Sequence, residues 1–416
     1  MLTSKTYKLI GPFKQLLTMR NMPEKGALKD EQLEVIPNGA ILIKNETIVA
    51  VDTFKNLKAS CDESLTIIEE IQEELVALPG FIDAHTHICY AGSRAKDYSA
   101  RLNGKSYLEI AAEGGGIWST VQEVRKASKT ELIRLTKERA TRLLLKGITT
   151  VEAKSGYGLN LETELKMLQA IKEADTQHKI DMVATCLAAH VIPKDWEKGE
   201  KAYLQLLLDE LVPEIKKQSL CKRFDIFIEE GAFHTTSALN YLNQLKKEGF
   251  QLTIHGDQFS PGGSEVAIAS GAKSVDHLEA SGVQEIEALS KSDIIPVVLP
   301  GASLGLGINF APARKLLDAG CALAIASDWN PGSAPQGDLL IQAAILGAYE
   351  KLSAAEVFSG ITYRAAKALD LGDRGTLNVN KIGDLAAFPT RDYREILYNQ
   401  GAMNPAYVWK KGERIQ

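Results

Sequence analysis

The chain has 416 residues, 45% of them hydrophobic and 24% charged, with a formal net charge of -5. That is enough apolar sequence to bury a large core, as two domains or as one large barrel with an attachment. No stretch is densely basic and no apolar window approaches the roughly 20 residues of a membrane span, which argues against nucleic acid or a membrane as the partner.

The first 78 residues read as β-rich. "GAILIKNETIVAVD" has strand–turn–strand form with Asn45 and Glu46 at the turn. From there the rhythm changes to short apolar runs separated by longer amphipathic stretches. The runs predict strands at 79–87, 148–154, 181–189, 225–231, 251–257, 273–278, 294–299 and 321–328. Between them lie helical segments such as "TELIRLTKERATRLLLKG" and "ETELKMLQAIKEAD", the latter with apolar residues at 3–4 spacing. Eight such units predict an α/β fold, a (β/α)8 TIM barrel over residues 79–369, with a doubly wound open sheet as the alternative. No GxGxxG follows an early strand, against a dinucleotide site. "GTLNVNKIGDLAAF" and "PAYVWKKGERI" return to short strands. Residues 1–78 and 370–416 are therefore expected to join as one small β-sandwich domain. The five cysteines are scattered with no CxxC pair, which predicts free thiols in a reducing compartment, read as the cytoplasm.

The chemistry sits where the runs end. In a strand, residues i and i+2 face the same side, so His85 and His87 can chelate one cation. His190 ends "ATCLAAH", His255 ends "LTIH", His277 ends "SVDH" and Asp328 ends "ALAIASD". In a TIM barrel such C-terminal strand ends form the active-site face. Five of the seven histidines stand at such ends; His178 and His234 read as surface or packing residues. His85, His87, His255 and Asp328 offer three nitrogens and one oxygen, suited to Zn²⁺ or Fe²⁺ with room for water. Such a site makes hydroxide near neutral pH and polarises a carbonyl. Asp276, beside His277, is expected to point the opposite way and to be structural. The glycine-rich run "EGGGI", 113–117, lacks GK[ST] and is not a P-loop. It reads either as a segment closing over the mouth or as a plain connector.

"PGFIDAHTH", the strand-end His255, "DHLEA" and "SDWNPG" resemble the amidohydrolase superfamily. "HTHICYAGSRAKDY", "AAEGGGIWSTV", "TTVEAKSGYGL" and "SDWNPGSAP" are similar to stretches of its imidazolonepropionase family, and the resemblance spans nearly the whole chain. It implies hydrolysis of the cyclic amide C–N bond of a small-molecule substrate, 4-imidazolone-5-propanoate, to N-formimidoyl-L-glutamate in histidine degradation. It also implies that His85, His87, His255 and Asp328 bind the metal. Arg94, Tyr157, His190, Gln258, Asn330, Gly332 and Ser333 match substrate-binding positions. Binuclear members of the superfamily bridge two metals with a carboxylated lysine from the fourth strand. Here that strand reads "DIFIEEGAF", with Glu229 and Glu230 and no lysine, so one divalent metal per chain is expected; Lys154 is a lesser candidate for a bridging ligand. Arg94 is suited to a propanoate carboxylate. His277 and Asp328 are the candidates for moving the proton, and the residues alone do not separate them. Rival readings are another amidohydrolase acting on a related ring, a non-catalytic metal-dependent binding protein, or purely structural histidines. Family members are often homodimers, but no stretch marks an interface.

Overall fold

The computed structural model describes residues 6–105, 109–110 and 113–415. Five strands lead in: β1 (Tyr7–Leu17), β2 (Val35–Lys44), β3 (Thr47–Thr53), β4 (Thr66–Glu70) and β5 (Val76–Pro79). Eight follow in the middle: β6 (Phe81–Asp83), β7 (Ile148–Lys154), β8 (Asp181–Ala189), β9 (Arg223–Phe227), β10 (Gln251–Gly256), β11 (Ser274–His277), β12 (Ile295–Val298) and β13 (Ala324–Ile325). Three end the chain: β14 (Leu385–Phe388), β15 (Tyr407–Lys410) and β16 (Glu413–Arg414).

The middle strands lie side by side in chain order, all parallel, with helices between them. This is the expected (β/α)8 barrel. The seam between first and last strands is closed by the very segments that carry the predicted ligands. Thr86 bridges to Trp329, Asp328 N–H donates to His85 O at 3.0 Å, and His87 N–H donates to Trp329 O at 2.9 Å. β9 starts and ends earlier than expected; β6 and β13 are shorter because the seam residues bond outside regular ladders.

Each strand alternates between two environments. Val151 and Ala153 of β7, Phe224 and Ile226 of β9, Leu252 and Ile254 of β10, and Val275 of β11 face the helices in the main apolar core. Their neighbours Glu152, Lys154, Asp225, Thr253, His255 and Asp276 are also fully or almost fully buried. They fill the barrel's interior with paired polar groups, as a buried charge requires. The surrounding helices start where the sequence supplies caps. Ser128 accepts from Glu131 N–H ahead of Lys129–Leu144, and Asn160 accepts from Thr163 N–H ahead of Leu161–Gln177. The first buries Leu132, Ala140, Leu143 and Leu144, and the second Met167, Leu168, Ile171 and Ala174.

The strands from both termini join in one sheet, ordered β16-β15-β14-β5-β1-β2-β3, with β4 also on β1. A register shift between Ile10 and Phe13 bends β1, and Thr47 bridges to Ile382. The sheet thereby curls around a core of its own that includes Phe13, Ile41, Ile43, Leu385 and Trp409. The stretch between β1 and β2 leaves this sheet: Met19, Met22, Leu28 and Leu33 pack into the barrel's core. β5 runs straight into β6 through Pro79-Gly80. Gly80 N–H donates to Asp384 O, and a Cβ at this position would collide with the Thr149 side chain. The Pro-Gly before the histidine pair is thus where sheet and barrel approach too closely for any side chain. All five cysteines are free, and no helix among the described residues is long and apolar enough to cross a membrane.

Candidate active site

The five strand-end histidines come together at the C-terminal mouth of the barrel. Their ring centroids lie between 4.4 Å (His85–His255) and 6.0 Å (His190–His255) apart where the rings touch. Within this group four ligand atoms converge. His85 Nε2 and His255 Nε2 each lie 3.3 Å from His87 Nε2. Asp328 Oδ1 lies 3.5 Å from His85 Nε2 and 3.3 Å from His87 Nε2. A tetrahedron with metal–ligand bonds of about 2.0–2.1 Å has edges of about 3.3–3.4 Å. These four separations match edges of such a tetrahedron; His85, His87 and Asp328 form one close donor set, and His85, His255 and His277 form a second that overlaps it. His178 and His234 lie elsewhere: His178 bonds Thr141, and the exposed His234 pairs with Glu200.

Metal ligation needs neutral imidazoles with free lone pairs. Burial, reinforced by Lys154, holds His85 well below its ordinary pKa and brings His87 down to about 3. Burial also brings His255 to about 3, although Asp225 opposes it. Two of the three Nδ1 atoms face carboxylates below them. His85 Nδ1–H donates to Asp276 Oδ2 at 2.6 Å, and His255 Nδ1 lies 2.9 Å from Asp225 Oδ2. These carboxylates fix the tautomers that leave Nε2 facing the centre. Asp276 thus does not point away from the site as expected. The reason is a backbone turn: Asp276 keeps the inward register of β11, whereas His277 adopts φ 87° and swings up into the mouth. Two consecutive residues therefore serve the same site.

Lys154 lies one layer deeper. Its Nζ is 2.6 Å from Glu152 Oε1 and 2.8 Å from Asp225 Oδ2. Burial alone would lower its pKa, but Asp225 and Glu152 outweigh it and keep the ammonium charged. The Lys154 ammonium and the His255 imidazole beside it together overcome burial at Asp225 and hold that carboxyl below the usual range. A charged ammonium in this embrace is no bridging ligand. Glu229 is likewise committed elsewhere, accepting Phe259 N–H at 2.8 Å and Ser260 N–H at 3.1 Å.

Around the four donors stands a rim. His277 Nδ1 is 3.5 Å from Glu279 Oε2; burial alone would lower its pKa, but Glu279 raises it above the ordinary value. His190 Nδ1 bonds Gly156 O at 3.0 Å and stacks on His87 at 5.5 Å between centroids; burial brings its pKa to about 3. Tyr157 packs against both His87 and His190. Its loop is held by Glu164, which accepts N–H from Gly156, Gly158 and Leu159. Gln258 is buried three residues after His255. Arg94 Nε donates to Asp97 Oδ2 at 2.8 Å, and the same oxygen accepts Gly116 N–H, so the "EGGGI" run is tied to the arginine. A Cβ at Gly332 would collide with the Arg94 guanidinium. Asn330 Oδ1 accepts Gly332 and Ser333 N–H at 2.7 and 2.8 Å, so its amide folds the loop that brings Gly332 to Arg94. Ser333 Oγ lies 3.4 Å from Asp328 Oδ2.

Sequence reasoning missed Asp225, Glu279, Asp97 and Glu164 as parts of this assembly. Glu279 and Asp97 had a local signal, standing two and three residues beyond His277 and Arg94. Asp225 had none, since its partners arrive from other strands.

The amidohydrolase family model matches residues 76–415. The chain is 39% identical over 404 residues to the imidazolonepropionase of Bacillus cytotoxicus, covering 96% of this chain and 94% of that protein. It is 38% identical over the same length and shares to the imidazolonepropionase of Bacillus mycoides. Among solved structures, guanine deaminase of E. coli superposes with TM-score 0.75 at 14% identity, covering 99% of each chain. An adenosine deaminase from Xanthomonas campestris with bound zinc gives TM-score 0.71 at 18% identity, covering 98% of this chain and 92% of that one. At these identities the two structures share the fold with this chain.

Proposed function

Because the chain belongs to the amidohydrolase family, and within it to the imidazolonepropionases, we propose that it hydrolyses the ring amide of 4-imidazolone-5-propanoate to N-formimidoyl-L-glutamate, a step of histidine degradation. The observation that carries this reading is the convergence of His85, His87, His255 and Asp328 at 3.3–3.5 Å beside a buried arginine that folds over the same loop.

His85, His87, His255 and Asp328 would hold one divalent ion per chain, Zn²⁺ or Fe²⁺, both suited to an N₃O set. When bound, the ion supplies Lewis acidity, acidifying water from about 15.7 towards about 7 and polarising a carbonyl. Arg94 meets the propanoate carboxylate; Asp97 on Nε leaves its terminal N–H groups for that planar fork. Tyr157 and His190, packed on His87, and Gln258 orient the imidazolone ring. Asn330 and Gly332 shape the loop against Arg94, and Ser333 offers a hydroxyl beside Asp328. Water adds its oxygen to the ring carbonyl carbon, the C–N bond breaks, and the departing nitrogen takes a proton. His277 accepts the proton from water, with Glu279 stabilising the imidazolium that results, and Asp328 shares the transfer. Residues 79–369 form the catalytic barrel, with 1–78 and 370–416 as the small domain. The five free cysteines support a cytoplasmic setting.

The test is direct. Purified protein is given synthetic 4-imidazolone-5-propanoate, and N-formimidoyl-L-glutamate is followed by NMR. Stoichiometric product that stops with a chelator is expected; release of ammonia from a purine ring, with no turnover of the imidazolone, would overturn the proposal in favour of a deaminase.

A further inference from the structure

Beneath the ligands the barrel holds an ionic layer that the proposed reaction does not touch. Glu152, Lys154 and Asp225 have fully buried side chains, and Asp276 is 1% exposed. Lys154 Nζ stands 2.6 Å from Glu152 Oε1, 2.8 Å from Asp225 Oδ2 and 3.9 Å from Asp276 Oδ2. Among the described residues no other lysine or arginine makes an ion pair with these three acids.

The oxygens involved are the telling detail. Asp225 Oδ2, which faces the ammonium, is the atom 2.9 Å from His255 Nδ1. Asp276 Oδ2, the nearer oxygen of the second acid, is the atom that accepts from His85 Nδ1 at 2.6 Å. One cation thus stands behind two carboxylate oxygens, and each of those stands behind one imidazole. Ser274 and Thr253 hydroxyls also hold Asp276, at 2.7 and 3.2 Å, and His255 N–H holds Asp225 Oδ1 at 3.2 Å. Asp225 Oδ2 has no such hydroxyl, so its direction depends most on the lysine.

We propose that Lys154 is a positioning residue of the metal centre: by pinning Asp225, and drawing Asp276 inward, it locks His255 and His85 with Nε2 towards the ion. Without the ammonium, three carboxylates would share a dry interior and repel one another. Asp225 would turn from His255, and the imidazole would lose its fixed acceptor. Partners of this kind are worth about 10–100-fold in metal affinity.

The inference rests on the reading that His85, His87, His255 and Asp328 bind a divalent ion. The experiment is a Zn²⁺ titration of the full chain against a chromogenic chelator, for wild type, Lys154→Met, Lys154→Arg and Lys410→Met. Lys410 is a control: it is 3% exposed and pairs with Asp181 and Asp384 at 2.7 and 2.6 Å, but belongs to the terminal sheet. Lys154→Met is expected to weaken Zn²⁺ by about 10–100-fold, Lys154→Arg to recover most of that loss, and Lys410→Met to bind Zn²⁺ as wild type does despite a lower Tm. Wild-type affinity in Lys154→Met, or an equal loss in Lys410→Met, overturns the proposal. Should Lys154→Met not fold, Asp225→Asn keeps the side chain's shape but removes the carboxylate through which the ammonium is proposed to hold His255, and wild-type Zn²⁺ affinity there overturns it too. A wild-type chain that takes up no Zn²⁺ would sink the metal reading itself, a different result from a wild type that binds and a variant that binds equally.

Discussion

The terminal sheet and the barrel mouth both contain left-handed backbone, but on different residues. In the sheet it falls mainly on Asn38 (φ 50°), Asn45 (φ 57°) and Asn380 (φ 67°), with Lys411 (φ 55°) the exception. At the mouth it falls on Asp257 (φ 55°), His277 (φ 87°), Leu278 (φ 76°) and Asp328 (φ 52°). Asparagine adopts this conformation cheaply, and in the sheet it only turns the chain. For histidine or leucine it costs on the order of 1–3 kcal/mol and persists where the surroundings over-determine it. The difference teaches that the mouth gives up local stability to aim side chains. His277 turns at the last position of its strand so that it and Asp276 can serve one centre from two levels, and Asp328 bends where the barrel seam closes.

If that contrast is right, the mouth should be sensitive in activity and the sheet only in stability. The largest effect is expected for His277→Asn, a loss of about 10²–10⁴ in kcat with metal content unchanged. Metal lost along with activity would instead make His277 a ligand, a role its closeness to His85 and His255 allows. Next comes the pH dependence of the metal-free protein. Burial holds His85 well below 6.5 and His87 and His255 near 3, so the unfolded chain binds protons that the native chain refuses. Stability from this source is complete above about pH 6.5 and is lost as pH falls towards 3, by about 1 kcal/mol per pH unit for each histidine. Asp83 and Asp276, raised to about 7 by burial, work in the opposite direction on overall stability, so the check is NMR titration of the imidazoles in chelator: His85, His87 and His255 should stay neutral at pH 5, and their protonation near 6.5 would refute it. Arg94→Met should raise KM for the imidazolone by about 10–100-fold, the worth of a charged hydrogen bond, with a smaller change in kcat. The smallest effect is expected in the sheet. Asn45→Ala should cost about 1 kcal/mol in chemical denaturation and Asn45→Gly nothing, both with wild-type kcat.

What could be read from the sequence was local. A histidine pair at i and i+2, and single histidines or an aspartate ending apolar runs, are patterns that one strand displays by itself. So the eight strands and the convergence of five imidazoles were legible before any coordinates. The supporting acids were not, because Asp225 gains its meaning only when β10 brings His255 beside it and β7 brings Lys154. Asp276 was misread because alternation holds only while the backbone stays extended, and His277 departs from it. The joining of the two termini was visible as a similarity of style. The pairing of Leu385–Phe388 with Val76–Pro79, and the packing of Met19, Met22 and Leu28 on the barrel, depend on contacts remote in the chain.

Metal-stripped protein titrated with Zn²⁺ or Fe²⁺, with imidazolone hydrolysis read at each addition, tests the four-donor centre most directly. Activity should rise from zero along a straight line and break at one ion per chain. Full hydrolysis by the stripped protein, or a break at two, would contradict a single metal held by His85, His87, His255 and Asp328.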